Sequence, residues 1–183
     1  DNDWEHLFIR ALEGGRVNLS GVTNIVGPVG FNSNSRGTEI LADGAGSVVD
    51  LSALADFHES SAADVSKLEA FDGGLILLSS SRTVLSGPDV IVAPTGTIVG
   101  TLELGAGSMM SGAGTVSGNV INASQVSPGE SPDSLTINGN YTQTSSGILN
   151  IELGGISAGT QFDQLNVTGI VTLDGTLSVT RIN

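Results

Sequence analysis

The stretch Ile9-x-Ala11-x-x-Gly14-Gly15-x-Val17-x-Leu19-Ser20 recurs as Ile40-x-Ala42-x-Gly44-x-Gly46 with Val49-x-Leu51-Ser52. It recurs again as Leu68-x-Ala70-x-x-Gly73-Gly74-x-Ile76-x-Leu78-Ser79. In each copy apolar residues alternate at period 2 on both sides of glycines that tolerate positive φ, the pattern of strand, turn, strand. A period of roughly 30 residues marks units that bury a face only by stacking on one another. Three short sheets winding round a common axis satisfy it, each layer rising about 4.8 Å. At 20 to 30 residues per layer the chain supplies roughly six to nine layers. The expected fold is an all-β, right-handed parallel β-helix, the hand following from parallel crossovers.

Composition agrees with thin stacked layers. The 183 residues include 26 glycines, no cysteine, and only one Trp, one Tyr and five Phe, so Val, Leu and Ile must build the core. The missing thiols remove disulfides, thiol catalysis and thiolate metal sites together. Formal net charge is −13, and no Lys or Arg stands between Thr83 and Thr180. Phosphate backbones and anionic lipid surfaces both require clustered cations, which excludes nucleic acid as a partner and disfavours membrane surfaces. No apolar run approaches 20 residues, so no membrane insertion by this segment is expected. The chain opens at Asp1 without an initiator Met or leader pattern, and it reads as a segment of a longer polypeptide.

One continuous domain is expected, with solenoid repeats over 1–123 and a closing or bridging unit over 124–183. At its start Trp4, Leu7, Phe8, Ala11 and Leu12 also sit at helical spacing behind Asp3, which predicts at most a short capping helix in the first few residues. The segments 27–36 and 56–65 are polar excursions, the second with room for a helical turn, and both are candidate recognition loops. Past residue 124, Asn138-Gly139, Thr168-Gly169 and Asp174-Gly175 separate cleanly alternating strands. Such pairs favour tight turns, so a modified or hairpin-containing C-terminal end is expected.

Two C-terminal segments carry a resemblance. Val126–Gln143 (VSPGESPDSLTINGNYTQ) and Phe162–Val179 (FDQLNVTGIVTLDGTLSV) are similar to segments of autotransporter passenger-type, pertactin-like proteins, clearest over about 124–181. Asp133 departs from that pattern, standing where glycine is more usual in the repeated Ser-Pro-Gly turn. The resemblance implies export, a β-helical stalk, a place outside the cell or on the bacterial surface, and adhesion or display rather than catalysis. Partners would be a host or matrix protein or a surface glycan. It brings no catalytic residue with it.

Catalytic chemistry finds little support in the residues themselves. His6 and His58 are too far apart to form a histidine metal motif, although Asp56, Glu59 and Asp64 flank His58. A polysaccharide lyase needs a base, and the candidates are Lys67, Arg82, Arg36, His58 and Tyr141. A hydrolase needs converging carboxylates, for which Glu69 and Asp72 flank a glycine turn while Glu103, Glu130, Glu152 and Asp163 are scattered. Calcium-roll and EF-hand patterns are missing, which leaves any metal site undefined. Trp4, Phe31, Phe57 and Tyr141 form no spaced aromatic series for sugar stacking. The expectation is therefore a non-enzymatic rod without a cofactor, the alternative being a carbohydrate-active module that binds or cleaves polysaccharide on a β-helix.

Overall fold

A computed structural model describes residues 6–27, 36–59, 65–129 and 132–182. The chain climbs in three-strand layers. The first three layers are β1 (His6–Leu12), β2 (Arg16–Asn18) and β3 (Asn24–Val26); β4 (Gly37–Asp43), β5 (Val48–Asp50) and β6 (Asp56–His58); β7 (Lys67–Phe71), β8 (Leu75–Leu77) and β9 (Thr83–Ser86). Two compact layers follow: β10 (Asp89–Val92), β11 (Thr97–Val99) and β12 (Leu102–Leu104); β13 (Met109–Gly112), β14 (Thr115–Ser117) and β15 (Val120–Asn122). Above them lie β16 (Gln125–Pro128), β17 (Ser134–Ile137) and β18 (Tyr141–Gln143), then β19 (Ile148–Leu153), β20 (Gln164–Val167) and β21 (Val171–Thr172). A last strand, β22 (Thr176–Arg181), opens the next layer.

Like strands stack on like strands. The first strand of each layer joins an 8-stranded sheet and the second and third join two 7-stranded sheets. Pairing between consecutive layers is parallel throughout, from β1 on β4 to β19 on β22. The molecule is a right-handed parallel β-helix. Ladders cross the division at residues 123–124 without interruption, β13 on β16 and β15 on β18.

Alternation along each short strand turns one set of side chains inward, where they form columns. Ile9, Ile40, Leu68, Val90, Met110, Val126, Leu149 and Leu177 stack in the first sheet. Val17, Val49, Ile76, Ile98, Val116, Ile137 and Val167 stack in the second. From Ile40 to Val126 and from Val49 to Ile137 these residues have no measurable exposure. Each such aliphatic side chain stabilises the stack by about 1.5–3 kcal/mol relative to exposure. The third sheet begins in the same way, with Ile25, Phe57, Leu85 and Leu104, and then turns polar at Asn122 and Gln143.

Spacing between layers contracts and expands again, from 31 residues (Ile9 to Ile40) to 16 (Met110 to Val126) and back to 28 (Leu149 to Leu177). Corners absorb the difference. Positive φ falls on Glu13 with Gly14 and on Asp72 with Gly73, one position earlier than the paired glycines suggest. The second glycine answers a different need: a Cβ on Gly74 would lie 2.0 Å from the Ala42 carbonyl oxygen of the layer below.

Hairpins do not replace coils at the C-terminal end, because β17–β20, β18–β21 and β19–β22 all pair parallel. Asn138-Gly139 and Thr168-Gly169 instead turn the chain between the second and third sheets, each glycine pressed against backbone one layer below. The end is modified by an excursion over 154–163, closed by a small antiparallel bridge between Leu153 and Phe162. At the other end His6–Leu12 is strand, and the capping helix expected before it lies outside the described residues.

Candidate functional site

Loops leave the stack in two vertical pairs. The segments 27–36 and 59–66 depart from the same corner, between third and first sheets, in adjacent layers. Gly27 and Glu59 stack there, the Gly27 amide donating to the His58 carbonyl and the Glu59 amide to the Ser86 carbonyl. The next layer turns the same corner tightly through Gly87, whose Cβ position is filled by Glu59. Residues 28–35 and 60–64 lie outside the described residues. Asp56–His58 is strand rather than loop, and Phe57 is sealed in the core. The helical turn expected within 56–65 is therefore absent from its first three residues.

The second pair, 129–133 and 154–163, sits at the corner between first and second sheets near the C-terminal end. Sequence reading missed it as a display element, although the lapse of alternation between Ile151 and Leu165 marks it. Asp163, only 6% exposed, ties the two loops together. Its Oδ1 accepts the Asp133 amide at 3.2 Å and its Oδ2 accepts the Glu152 amide at 2.8 Å.

Below this pair the outer face of the first sheet forms a groove of about 250 Å³. Outward positions of β16, β19 and β22 supply Ser127, Asn150, Glu152 and Thr180, with Asp163 in the wall. Asn150 Nδ2 donates to Ser127 Oγ at 3.1 Å, which fixes the floor. The groove offers hydroxyls, an amide and carboxylate oxygens, the chemistry that meets sugar hydroxyls. With both oxygens holding backbone amides, Asp163 serves the loop architecture.

The other nominated residues are dispersed. Glu69 lies on the outer face of β7, 9% exposed, with Lys67 Nζ at 3.7 Å. Burial raises its carboxyl above the ordinary range, against the opposing pull of Lys67. Burial likewise raises Asp89, opposed first by a hydrogen bond to the Met109 backbone. Asp72 is exposed at its corner with φ of 47°. Arg82 pairs with Glu103 at 2.8 Å, and Arg10 pairs with Glu39 while lying 4.2 Å above the Phe8 ring. His58 Nδ1 contacts Asp56 on the outer face of β6, while Glu59 turns into the corner between Gly27 and Gly87. Arg36 stands just before β4, and Glu130, Asp64, Trp4 and Phe31 lie outside the described residues.

Tyr141 is interior. It has no exposure, its hydroxyl accepts from Asn122 Nδ2 at 3.0 Å and donates to Gln143 Oε1 at 3.1 Å, and burial pushes its pKa up to about 12. Such a phenol is out of reach of a polymeric substrate. Among the described residues no group of three or more His, Asp or Glu converges in a way that could hold a metal ion, and no helix is long and apolar enough to cross a membrane. No family model, curated protein or solved structure matches this chain.

Proposed function

We propose that this chain is a non-enzymatic structural and adhesive segment of a large bacterial exported surface protein of the autotransporter passenger type. It acts outside the cell or on its surface as a stiff rod that holds out loops. The observation that carries this reading is an uninterrupted stack from which the chain departs at the same corner in adjacent layers, at Gly27 above which lies Glu59, and again at Gly129 and Gly154. Loops that leave neighbouring corners of a rigid support are placed to contribute to one contact surface. Outer charges such as Arg10, Lys67 and Arg82 are engaged by neighbouring carboxylates, which suits a wall more than a reaction centre. Host or matrix protein is the partner class this reading favours.

The test replaces residues 60–64 with a Gly/Ser segment of equal length, leaving Phe57 and the Glu59 corner in place. Binding of the chain to cells or matrix should fall by tenfold or more while the far-UV spectrum holds. Full retention of binding after replacing both this loop and 154–163 would defeat the proposal. A second reading, glycan binding, draws on the polar groove beside Glu152. Glu152→Gln and Asn150→Ala would then weaken binding on a glycan array without altering binding to protein ligands.

A further inference from the structure

The second sheet turns an uncharged face outward. Four successive layers cross it with one short motif: Thr97-Ile98-Val99-Gly100-Thr101, Thr115-Val116-Ser117-Gly118-Asn119, Thr136-Ile137-Asn138-Gly139-Asn140 and Asn166-Val167-Thr168-Gly169-Ile170. Its copies begin 18, 21 and 30 residues apart, which hides the repeat, yet the ladder brings Thr97, Thr115, Thr136 and Asn166 into one outer column. Val99 pairs with Ser117 in the next column. Asn138 and Thr168 extend that column, their amides donating to the Val116 and Ile137 carbonyls of the layers below. Between the columns Ile98, Val116, Ile137 and Val167 point inward and fasten each layer to the core.

Two features make this face flat and stiff. The glycines of the motif form a column of close backbone approach: a Cβ on Gly118 would lie 2.0 Å from the Gly100 carbonyl oxygen, and one on Gly139 would lie 2.2 Å from that of Gly118. Beside them a third column has its side chains clamped between layers. Asn119 Oδ1 accepts the Asn140 amide at 2.9 Å, and Asn140 Oδ1 accepts the Ile170 amide at 2.8 Å. Equivalent groups therefore recur about 4.8 Å apart between layers and about 6.7 Å apart along each strand, a two-dimensional net of hydroxyls, amides and methyls.

Charge narrows the occupant. From Leu75 and Leu77 up to Asn166 and Thr168 no outward residue of this sheet is ionisable, in a chain of formal net charge −13. A charged polymer meets no counter-charge on it. A protein partner meets no aromatic or arginine anchor, and a sugar ring meets no aromatic surface. A net held rigid before contact suits a partner that is itself a lattice, because fixed donors and acceptors order water at little further entropic cost. The interval between layers is close to an oxygen–oxygen repeat of ice. We propose that the outer face of the second sheet, over the layers of Thr97, Thr115, Thr136 and Asn166, is an ice-binding surface. Its hydroxyls and amides hold the contact layer of water in register with the crystal, and the methyls of Thr97, Val99, Thr115 and Thr136 fill the spaces between.

The test grows ice slowly on a cold finger from a dilute solution of the full 183-residue chain and measures the protein taken into the ice. The parent chain should be incorporated, and Ser117→Lys, at the centre of the net, should lower incorporation at least tenfold. Asn138→Lys, at an exposed position one layer higher, should do the same and keeps the test sharp if the first variant misfolds by its far-UV spectrum. Ser111→Lys, on the outer face of the first sheet, should behave as the parent. Exclusion of the parent from ice overturns the proposal, as does incorporation that both face substitutions leave unchanged. Retention on crystalline cellulose that Ser117→Lys abolishes while ice uptake stays the same also overturns it, giving the face to a neutral polysaccharide. Neither cells nor matrix enter this assay, so its failure leaves the adhesive reading standing.

Discussion

At the residue scale the informative side chains are the buried polar ones. The third-sheet column passes from Leu85 and Leu104 to Asn122 and Gln143 without opening to water, because each polar atom finds a partner. Asn122 donates to Tyr141 and to the Ile148 carbonyl, and Gln143 donates to the carbonyls of Asp174 and Thr176. Tyr141→Phe removes the acceptor for Asn122 and the donor for Gln143, and the expected loss of stability is about 1–3 kcal/mol by urea unfolding. The same phenol sets an alkaline limit. Its pKa is raised from 10.0 to about 12, so its stabilising share is intact below pH 10 and is lost as pH climbs through 12. Phenolate absorbance of this lone tyrosine should rise only near that upper value, together with unfolding. Glu69 has the same sign at the acid end: its carboxyl is raised by burial, so ionising it above 4.5 weakens the fold. Glu69→Gln should raise the urea midpoint at pH 7, with the gap closing below pH 4.5. None of this network was legible in the sequence. Alternation marks positions 122 and 143 as inward but says nothing about partners two strands away, and the same holds for buried Thr83, whose hydroxyl donates to the Leu54 carbonyl at 2.7 Å.

At the element scale the corners decide register. A one-residue slip in any short strand would turn its column outward, so each corner must return the chain at a fixed phase. Gly74 and Gly21 give a matched pair for testing this. Gly74 is wedged against Ala42 of the layer below, whereas a Cβ on Gly21 meets nothing within 4 Å. Gly74→Ala should cost about 2 kcal/mol or more through forced backbone displacement, while Gly21→Ala stays within about 0.5 kcal/mol of the parent in denaturant melts. Equal effects would mean that corners do not hold the register. The repeat at Ile9, Ile40 and Leu68 made the strands and their stacking order readable, because period 2 and a recurring interval are visible in the order of residues alone. Turn dipeptides were less decisive. Asn138-Gly139 allows a hairpin or a solenoid corner equally, and only the layer beneath, with Gly118 against Gly139, selects the corner. The candidate site was hardly legible: Glu152 and Asp163 read only as two of several scattered acids, and the groove that places Glu152 beside Ser127 and Asn150 arises from pairing between strands distant in sequence.

For the whole molecule, stability follows from nearest-neighbour stacking, so resistance to opening should vary along the axis instead of being uniform. The middle layers have sealed columns above and below: Leu68, Ile76, Leu85, Ile98, Leu104 and Val116 show no exposure. Toward the last layer the same columns thin out, with Leu149 at 7% and Leu177 at 60%, while Val171 and Leu173 stand about half exposed. Amide exchange should therefore be slowest in β7 to β14, faster in β19 and β20, and fastest in β21 and β22. A flat exchange profile from β1 to β22 would contradict layer-by-layer stability, since it would require all three sheets to open as one unit despite the graded burial of their columns.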